Sequence, residues 1–218
     1  MYEKALTKKS TVMDFSMAYR CYRTLFVVAL ALWLTGCSTL NSKPLPEQPL
    51  AASARQQQLQ AMQQFTIQAS VSIKTAADAI SGNLHWQQLQ PEYYNARLSN
   101  FLGISLFELQ QDATGSQIQL RGETYYGVDT SSLLWQLSGW SMPLADMPLW
   151  LRGLPSNNSQ HINVDEFGRV TSFSLTDSTG IIWQLEYQSF FSDSLSLPKR
   201  LLLSSESTKI KLVIRSWQ

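Results

Sequence analysis

The side chains that could carry out catalysis or hold a metal ion are few in this sequence. Its 218 residues include two histidines and two cysteines, and no motif for a nucleophilic serine, a phosphate-binding loop or a zinc site occurs. His85 lies among the polar residues of an alternating stretch, and His161 lies in a loop. Asp165 and Glu166 precede Gly168 and are typical of a hairpin turn. We therefore expect no enzyme, no metal ion and no cofactor.

Cys37 is the residue whose surroundings do predict chemistry. A basic stretch precedes an apolar run over residues 25–34, which is too short to span a bilayer and is typical of a signal peptide. The run ends in Leu34-Thr35-Gly36-Cys37, which resembles the lipobox of bacterial lipoproteins. The resemblance implies that residues 1–36 are a lipoprotein signal peptide that is removed, and that the Cys37 thiol is acylated.

Acylation would tether the mature chain to a membrane, because two or more acyl chains anchor a protein stably. Ser38 resembles the pattern of lipoproteins sent on to the outer membrane. The alternative is an uncleaved membrane anchor with an incidental cysteine. Cys21 leaves with the signal peptide, so the mature chain has no disulfide. Met13 or Met17 could be the initiating residue.

Charge and composition exclude some classes of partner. The net charge is +1, but residues 1–36 hold five lysines and arginines against two acidic residues, so the rest of the chain is slightly negative. A near-neutral body without a basic cluster argues against nucleic acid as a partner. Aromatic residues make up 11% of the chain and charged residues only 15%, so the body is not disordered and must bury much apolar surface.

Hydrophobic periodicity predicts a mainly β domain over residues 51–218. Residues 37–50 include three prolines and predict a lipidated, extended tether, and residues 51–64 predict a short helix capped by Ser53. From Phe65 the period becomes two, which predicts strands with one apolar face. Ten strands are predicted, over residues 65–74, 80–87, 94–98, 104–109, 117–121, 123–126, 170–176, 181–187, 198–203 and 209–215. They indicate an antiparallel, curled sheet or barrel.

Residues 130–152 form a nearly all-apolar insert that breaks this alternation. Thr130 or Ser131 caps one short helix, and Asp146 begins a second that ends before Gly153. Such helices would lie across the concave face of the sheet as a lid, either over a solid core or over a cavity for a lipid. The candidate residues lining an acyl-chain cavity are those on the apolar face of a strand or in the lid: Leu84, Trp86, Leu106, Trp135, Trp140, Trp150, Trp183 and Leu185.

A second apolar feature lies between two predicted strands, at Asn100-Phe101-Leu102-Gly103. A tight loop there would place Phe101 and Leu102 at an exposed tip, where no core is available to them. The functional interpretation is a membrane-insertion loop made by Phe101, Leu102 and Gly103, or a contact with a partner's groove. The alternative is that both side chains fold back beneath the loop.

In these features, the chain resembles the LolB family of outer-membrane lipoproteins over essentially its whole mature length. The markers follow one another in order: the lipobox at Cys37, Gly82 to Gln88, Arg97 to Gly103, Met142-Pro143-Leu144, Trp150 to Pro155, Trp183 to Tyr187, Leu197-Pro198 and Ile210-Lys211-Leu212. Phe101 is a departure, since better-known members carry proline there.

The resemblance implies an incomplete, unclosed antiparallel β-barrel like that of LolA and LolB, with short helices as a lid over a hydrophobic cavity. It also implies that the protein accepts client lipoproteins from the periplasmic carrier LolA, holds their acyl chains, and inserts them into the outer membrane with the help of Leu102. We expect a monomer anchored by its lipid to the periplasmic face of that membrane, with no nucleic-acid partner.

Two other classes of function stay open at this point. A structural or assembly lipoprotein with a solid core would bind a protein partner and would need no cavity. A tethered hydrolase would need a serine, a histidine and an aspartate in one cleft, which two histidines make a poor hypothesis.

Overall fold

The described part of the chain forms one antiparallel sheet of eleven strands with three short helices. The computed structural model describes residues 49–139 and 142–218. The strands are β1 (Phe65–Lys74), β2 (Ala79–Gln90), β3 (Tyr93–Ser99), β4 (Ser105–Asp112), β5 (Gly115–Leu120), β6 (Glu123–Gly127), β7 (Gln160–Val164), β8 (Val170–Thr176), β9 (Ile182–Phe190), β10 (Pro198–Ser204) and β11 (Lys209–Trp217). The helices are α1 (Ala52–Ala61), α2 (Thr130–Ser138) and α3 (Met147–Leu151).

The sheet is open. Its order is β6-β5-β4-β3-β2-β1-β11-β10-β9-β8-β7, so every connection within each half is a neighbouring antiparallel one, and β1 pairs with β11 to join the halves. The strands β6 and β7 end this order and do not pair with each other within the described residues. The prediction of a mainly β, unclosed antiparallel sheet is confirmed. No helix among the described residues is long and apolar enough to cross a membrane.

One face of the sheet makes the core, and the sequence alternation explains why. In β1 the side chains of Phe65, Ile67, Ala69, Val71 and Ile73 are buried, while the residues between them are half-buried or exposed. The main cluster and a smaller one around Leu59 use only residues from 59 to 217. A chain that begins at residue 38 therefore contains all of the core that the described residues form.

The helices α2 and α3 lie against this inner face, as the sequence predicts for a lid. Their buried residues, among them Leu133, Leu134 and Trp150, belong to the main core cluster. The capping predictions were wrong for two helices. The carboxylate of Asp129 accepts a hydrogen bond from the Ser132 N–H at 2.9 Å and caps α2, so neither Thr130 nor Ser131 is the cap. Ser53 does not cap α1, which follows Ala51.

The strand β7 was missed by the sequence analysis. All five of its residues are exposed, because β7 is an edge strand and leaves no alternation for a periodicity argument to detect. The turn after it, residues 165–168, is the hairpin that the sequence predicts.

Antiparallel pairing divides the connections of the sheet between two ends. The β3–β4 turn, residues 100–104, lies at the same end as the β1–β2 and β10–β11 turns, and we call it the loop end. The chain enters the fold at the opposite end, the tether end. There the Leu50 N–H donates to the Ser194 carbonyl at 2.9 Å, and Ala52 lies against Gly168.

Candidate functional site

The space beneath the lid is lined entirely by apolar side chains. They come from the inner face of β1 to β4 and β11, from α2, from the segment that leads to α3 and from the first residue of α3: Val71, Ile73, Leu84, Trp86, Ala96, Leu98, Phe107, Leu109, Leu134, Met142, Leu144, Met147 and Leu212. The cavity that they enclose has a volume of about 30 Å³. Ligand sites for drug-sized molecules are roughly ten times larger or more. We call a lid with so little space beneath it closed.

Two of the predicted lining residues, Leu84 and Trp86, are part of this wall. Trp150, Trp183 and Leu185 are fully buried in the same core cluster but do not line the cavity.

Two other predicted lining residues need correction, and one cannot be placed. Trp135 is 50% exposed, because it follows Leu134 by about 100° around α2 and points away from the sheet. Leu106 does not line the cavity either, although it is half-buried and packs against the core cluster. Trp140 lies outside the described residues, as does Cys37.

Polar atoms of the buried aromatic residues are satisfied without interrupting the apolar wall. The Trp86 indole N–H donates to the Gln88 side-chain oxygen at 3.0 Å, and its ring stacks on Tyr94 with centroids 4.3 Å apart. Burial raises the pKa of Tyr94 to about 12. The Trp183 indole N–H donates to the Asp177 carboxylate at 2.9 Å. The wall therefore offers a bound chain only dispersion contacts and burial.

A buried arginine fixes α3 to α1. The Arg152 guanidinium donates to the Pro148 carbonyl at 2.8 Å, to the Leu59 carbonyl at 2.8 Å and to the Met62 carbonyl. It therefore satisfies carbonyls at the end of α1, which the helix itself leaves without donors. Burial lowers the pKa of Arg152, but arginine stays charged in proteins.

Two more contacts hold α3 and α1 in place. The Tyr187 hydroxyl, whose pKa burial raises well above its ordinary value, donates to the Trp150 carbonyl at 2.6 Å. Arg55 in α1 donates to the carbonyls of Leu195 and Ser196 at 2.8 and 3.2 Å. The arginine contacts were not predicted, because isolated arginines in a sequence carry no sign that they are buried.

The helix α2 is held mainly at its N-terminal end. The Thr130 hydroxyl donates to the Gln111 side-chain oxygen at 2.9 Å and lies 3.2 Å from the Ser116 hydroxyl oxygen. The C-terminal end stops at Gly139, whose φ of 72° is readily adopted only by glycine. The two parts of the lid thus differ: α3 is tied down by a charged side chain, and α2 by a neutral cluster at one end.

The loop of residues 100–104 holds apolar side chains in water. Phe101 is 79% exposed, Leu102 is 85% exposed and Ile104 is 59% exposed. The tip that the sequence predicts to be exposed is exposed, and it does not fold back.

Asn100 determines the shape of this loop. Its side-chain oxygen accepts hydrogen bonds from the N–H groups of Leu102 and Ile104 at 2.9 and 3.0 Å, and its own N–H donates to the Ile104 carbonyl at 2.9 Å. Gly103 has a φ of 82°, which closes the turn. At the base of the loop Arg97 and Glu108 form an ion pair at 3.4 Å between facing strands. A fixed backbone therefore presents the apolar tip.

The other candidates for chemistry lie apart from one another. His85 is exposed on the outer face of β2, and the His161 Nδ1 lies 3.1 Å from the Ser174 hydroxyl oxygen. Asp165 accepts hydrogen bonds from Arg169 and Phe167 that outweigh its burial and lower its pKa, so it is occupied within its turn. Within residues 49–139 and 142–218, no three His, Cys, Asp or Glu side chains are grouped to hold a metal ion.

Comparison with known proteins matches most of the chain to one family. The family model described as outer membrane lipoprotein LolB matches residues 63–217. A protein named outer-membrane lipoprotein LolB from Tolumonas auensis is 30% identical over 200 residues, which are 89% of this chain and 95% of the relative. The protein of the same name from Pseudomonas syringae is 32% identical over 203 residues, which are 90% of this chain and 96% of that protein.

A solved structure has the same fold at low sequence identity. The LolA superfamily protein from Nitrosomonas europaea aligns with a TM-score of 0.50 and 8% sequence identity, over 78% of this chain and 93% of that protein. Chains of this open-sheet fold therefore need share little sequence.

Proposed function

The chain belongs to the LolB family, and from this membership we propose that it is an outer-membrane lipoprotein that accepts other lipoproteins and inserts them into that membrane. Its donor is the periplasmic carrier LolA, and its ligand is the acyl portion of the client. One observation carries the proposal: a closed, wholly apolar space beneath a lid and a rigid, exposed apolar loop occur in the same small domain.

The acyl-chain site is the space between the lid and β1 to β4. Exposing an acyl chain to water costs roughly 0.8 kcal/mol per methylene, so a chain in transit needs an apolar shelter. The cavity of about 30 Å³ is too small for such a chain, so binding requires part of the lid to move. We assign this motion to α2 and residues 142–146, because α3 is fixed by Arg152 and Tyr187.

Delivery uses the loop of residues 100–104. Leu102 and Phe101 lose apolar contact with water when they enter a bilayer, and no folded contact has to be broken first. Acyl chains then pass from a shelter with only dispersion contacts to the bilayer interior, which needs no nucleotide. Broad client range follows, since only the acyl portion has to be recognised.

Cys37 carries the lipid anchor in this proposal, and the distance to the loop is compatible with it. The anchor joins the fold at the tether end, whereas Leu102 lies at the loop end. A ten-residue strand such as β1 is about 33 Å long. The segment from Cys37 to Pro49 can reach about 40 Å when extended, so the loop and the anchor can reach the same membrane.

The second candidate is a structural or assembly lipoprotein with a solid core. The small cavity volume by itself favours this function. If the protein has this function, the exposed loop has no role and no acyl chain enters beneath the lid.

A transfer assay distinguishes the two functions. A tagged chain of residues 38–218 is mixed with LolA that carries a labelled lipoprotein, and the tagged chain is recovered. We expect the label to be recovered with the tagged chain. The matched control is Ile182→Ser, which removes an exposed apolar side chain from the outer face of β9, five strands from β3, and is expected to accept the client normally. If the label stays with LolA for both chains, the acceptor function is wrong.

A further inference from the structure

Five basic side chains share the outer face of three adjacent strands in the middle of the sheet. They are Lys74 of β1, Arg200 of β10, and Lys209, Lys211 and Arg215 of β11. Each is exposed, and on β11 the three alternate with the buried residues of the core. We call these five residues the outer cationic face. It is notable because the chain beyond its signal peptide is slightly negative.

No acidic side chain among residues 49–139 and 142–218 forms an ion pair with this face. The two ion pairs found among the described residues join Arg97 to Glu108 and Arg169 to Asp165, and neither involves the face. Arg215 donates to the Ser70 hydroxyl oxygen at 2.6 Å and to the Asn83 side-chain oxygen at 2.8 Å, so its partners are uncharged.

Acidic residues border the face without pairing with it. Glu186 on β9 pairs with Leu202 on β10, and Leu202 pairs with Lys211 on β11, so one strand separates Glu186 from Lys211. Asp78 and Glu206 lie in the two turns at the loop end, and neither has an ion pair among the described residues.

Lys74 and Lys209 are directly opposite each other across β1 and β11. Like charges in this arrangement destabilise a sheet. Folding alone would therefore favour an acidic residue at one of these two positions. The arrangement is understandable if the face meets an anionic partner, because that partner would remove the repulsion.

The side chains between the cations indicate what kind of anionic partner the outer cationic face binds. Between the cations lie the short polar side chains of Ser70, Ser72 and Ser204 and the aliphatic side chains of Leu202 and Val213. None of the described outward residues of β1, β10 or β11 at this face is aromatic, whereas protein interfaces are usually anchored by aromatic residues in pockets. A smooth surface with dispersed lysines and arginines suits a broad layer of anionic headgroups instead.

The position of the face relative to the loop supports the same partner. Lys74 and Lys209 are at the loop end of their strands. The strand β1 is two strands from β3, and Ser99 is level with Ser70, so Lys74 lies roughly 10 Å to the side of Ser99 and about 13 Å further toward the loop end. Peripheral proteins combine inserted apolar residues with basic residues at the headgroups in this way.

We propose that the outer cationic face binds the anionic phospholipids of the leaflet into which the loop inserts, and that it orients the loop end toward the membrane. The orienting role rests on the proposed function of the loop. The headgroup binding does not, and it can be measured without a client.

The test uses the unlipidated chain of residues 38–218 and two kinds of vesicle, phosphatidylcholine alone and phosphatidylcholine with one third phosphatidylglycerol. The variant combines Lys74→Gln, Lys209→Gln and Lys211→Gln, which keeps exposed side chains of similar length. Each lysine removed is expected to weaken binding to the anionic vesicles about fivefold at low salt, and all three about 100-fold. Binding to the neutral vesicles should not change. The control Lys199→Gln removes an exposed lysine near Phe191 at the tether end and should bind as the unaltered chain does.

Three results would overturn the proposal. In the first, the unaltered chain binds both kinds of vesicle equally at low salt. In the second, the triple variant binds anionic vesicles as strongly as the unaltered chain does. In the third result, the triple variant keeps its vesicle binding but no longer takes a client from LolA, which makes the face a protein interface. Failure of the proposed function is separate, because the unaltered chain would then fail to accept a client while still preferring anionic vesicles.

Discussion

The space beneath the lid and the tip of the loop are both apolar, but the fold treats them in opposite ways. The lining around Trp86 is covered by α2 and α3, and Arg152 ties that cover to α1. Leu102 has no cover, and Asn100 holds it in water. Apolar character alone therefore does not determine whether a side chain is buried or exposed. The polar side chain that fixes the neighbouring backbone also determines it. In our proposal, apolar side chains shelter an acyl chain in one region and enter a membrane in the other.

The largest effect is expected from Leu102→Glu, which should separate the two regions. Incorporation of clients into liposomes should fall by roughly 100-fold or more. A glutamate loses the approximately 2 kcal/mol that burying a leucine supplies, and it adds the cost of desolvating a charge. Capture of a client from LolA should be unchanged. Leu102→Met is the matched control and should retain incorporation. Equal loss of capture and incorporation would contradict the separation.

A slightly smaller effect is expected from Arg152→Met, which acts on the cover alone. Three buried carbonyls lose their charged donor, so the free energy of unfolding should fall by about 2–3 kcal/mol. Urea unfolding measures this. Arg152→Lys should also destabilise, since one ammonium group cannot reproduce the planar guanidinium. If Arg152→Met is as stable as the unaltered chain, the tie between α3 and α1 is not what holds the cover.

A third change, Met142→Gln, places an amide in the wall of the acyl-chain site at nearly constant volume. Client affinity should fall about tenfold, because the amide loses its hydrogen bonds to water when a chain covers it. The apparent affinity is measured by competition for a labelled client. Met142→Leu keeps the wall apolar and should bind normally. An unchanged affinity for Met142→Gln would mean that clients do not contact this wall.

A smaller effect is expected from Asn100→Ala, which leaves the tip apolar but frees its backbone. Two N–H groups lose their acceptor, so stability should fall by about 1 kcal/mol and incorporation by a few-fold. Asn100→Asp keeps an acceptor oxygen and should restore most of the incorporation. If Asn100→Ala inserts clients normally, the rigidity of the loop is unimportant.

The smallest effect is expected from Asp165→Asn, at the tether end and away from both regions. The lowered pKa of Asp165 means that its ion pair with Arg169 stabilises the fold above the ordinary pKa of 3.8, and that this contribution is lost as the pH falls through the lowered value. The variant should be less stable by under about 1 kcal/mol at pH 6. The difference should shrink below pH 4 in urea titrations. If the difference in stability between the two chains grows as the pH falls, the pKa of Asp165 is not lowered in the folded chain.

The strands could be predicted from the sequence because each has one buried face. Alternation located ten of the eleven strands, and it assigned Trp86 and Trp183 correctly to the inner face. It could not locate β7, whose five residues are all exposed. Local chemistry also found the exposed tip, since Leu102 follows a turn-forming asparagine between two strands.

The wall of the acyl-chain site could be predicted only in part. Which strand residues line the cavity depends on register, which alternation alone does not give. Leu106, for example, packs against the core cluster but does not line the cavity. Trp135 was chosen for its position in the lid, but helix rotation turns it outward. The buried contacts of Arg152 and the closed state of the lid depend on residues far apart in the chain, and no local pattern reports them.

Photo-crosslinking from the lid tests the central claim most directly. A benzoylphenylalanine replaces Met142, which lines the cavity, or Trp135, which lies on the same lid but points outward. Each chain receives a lipoprotein with labelled acyl chains from LolA and is then irradiated. We predict that the label is attached from position 142 and not from position 135. Attachment from position 135 alone, or from neither position after transfer, would contradict an acyl-chain site beneath this lid.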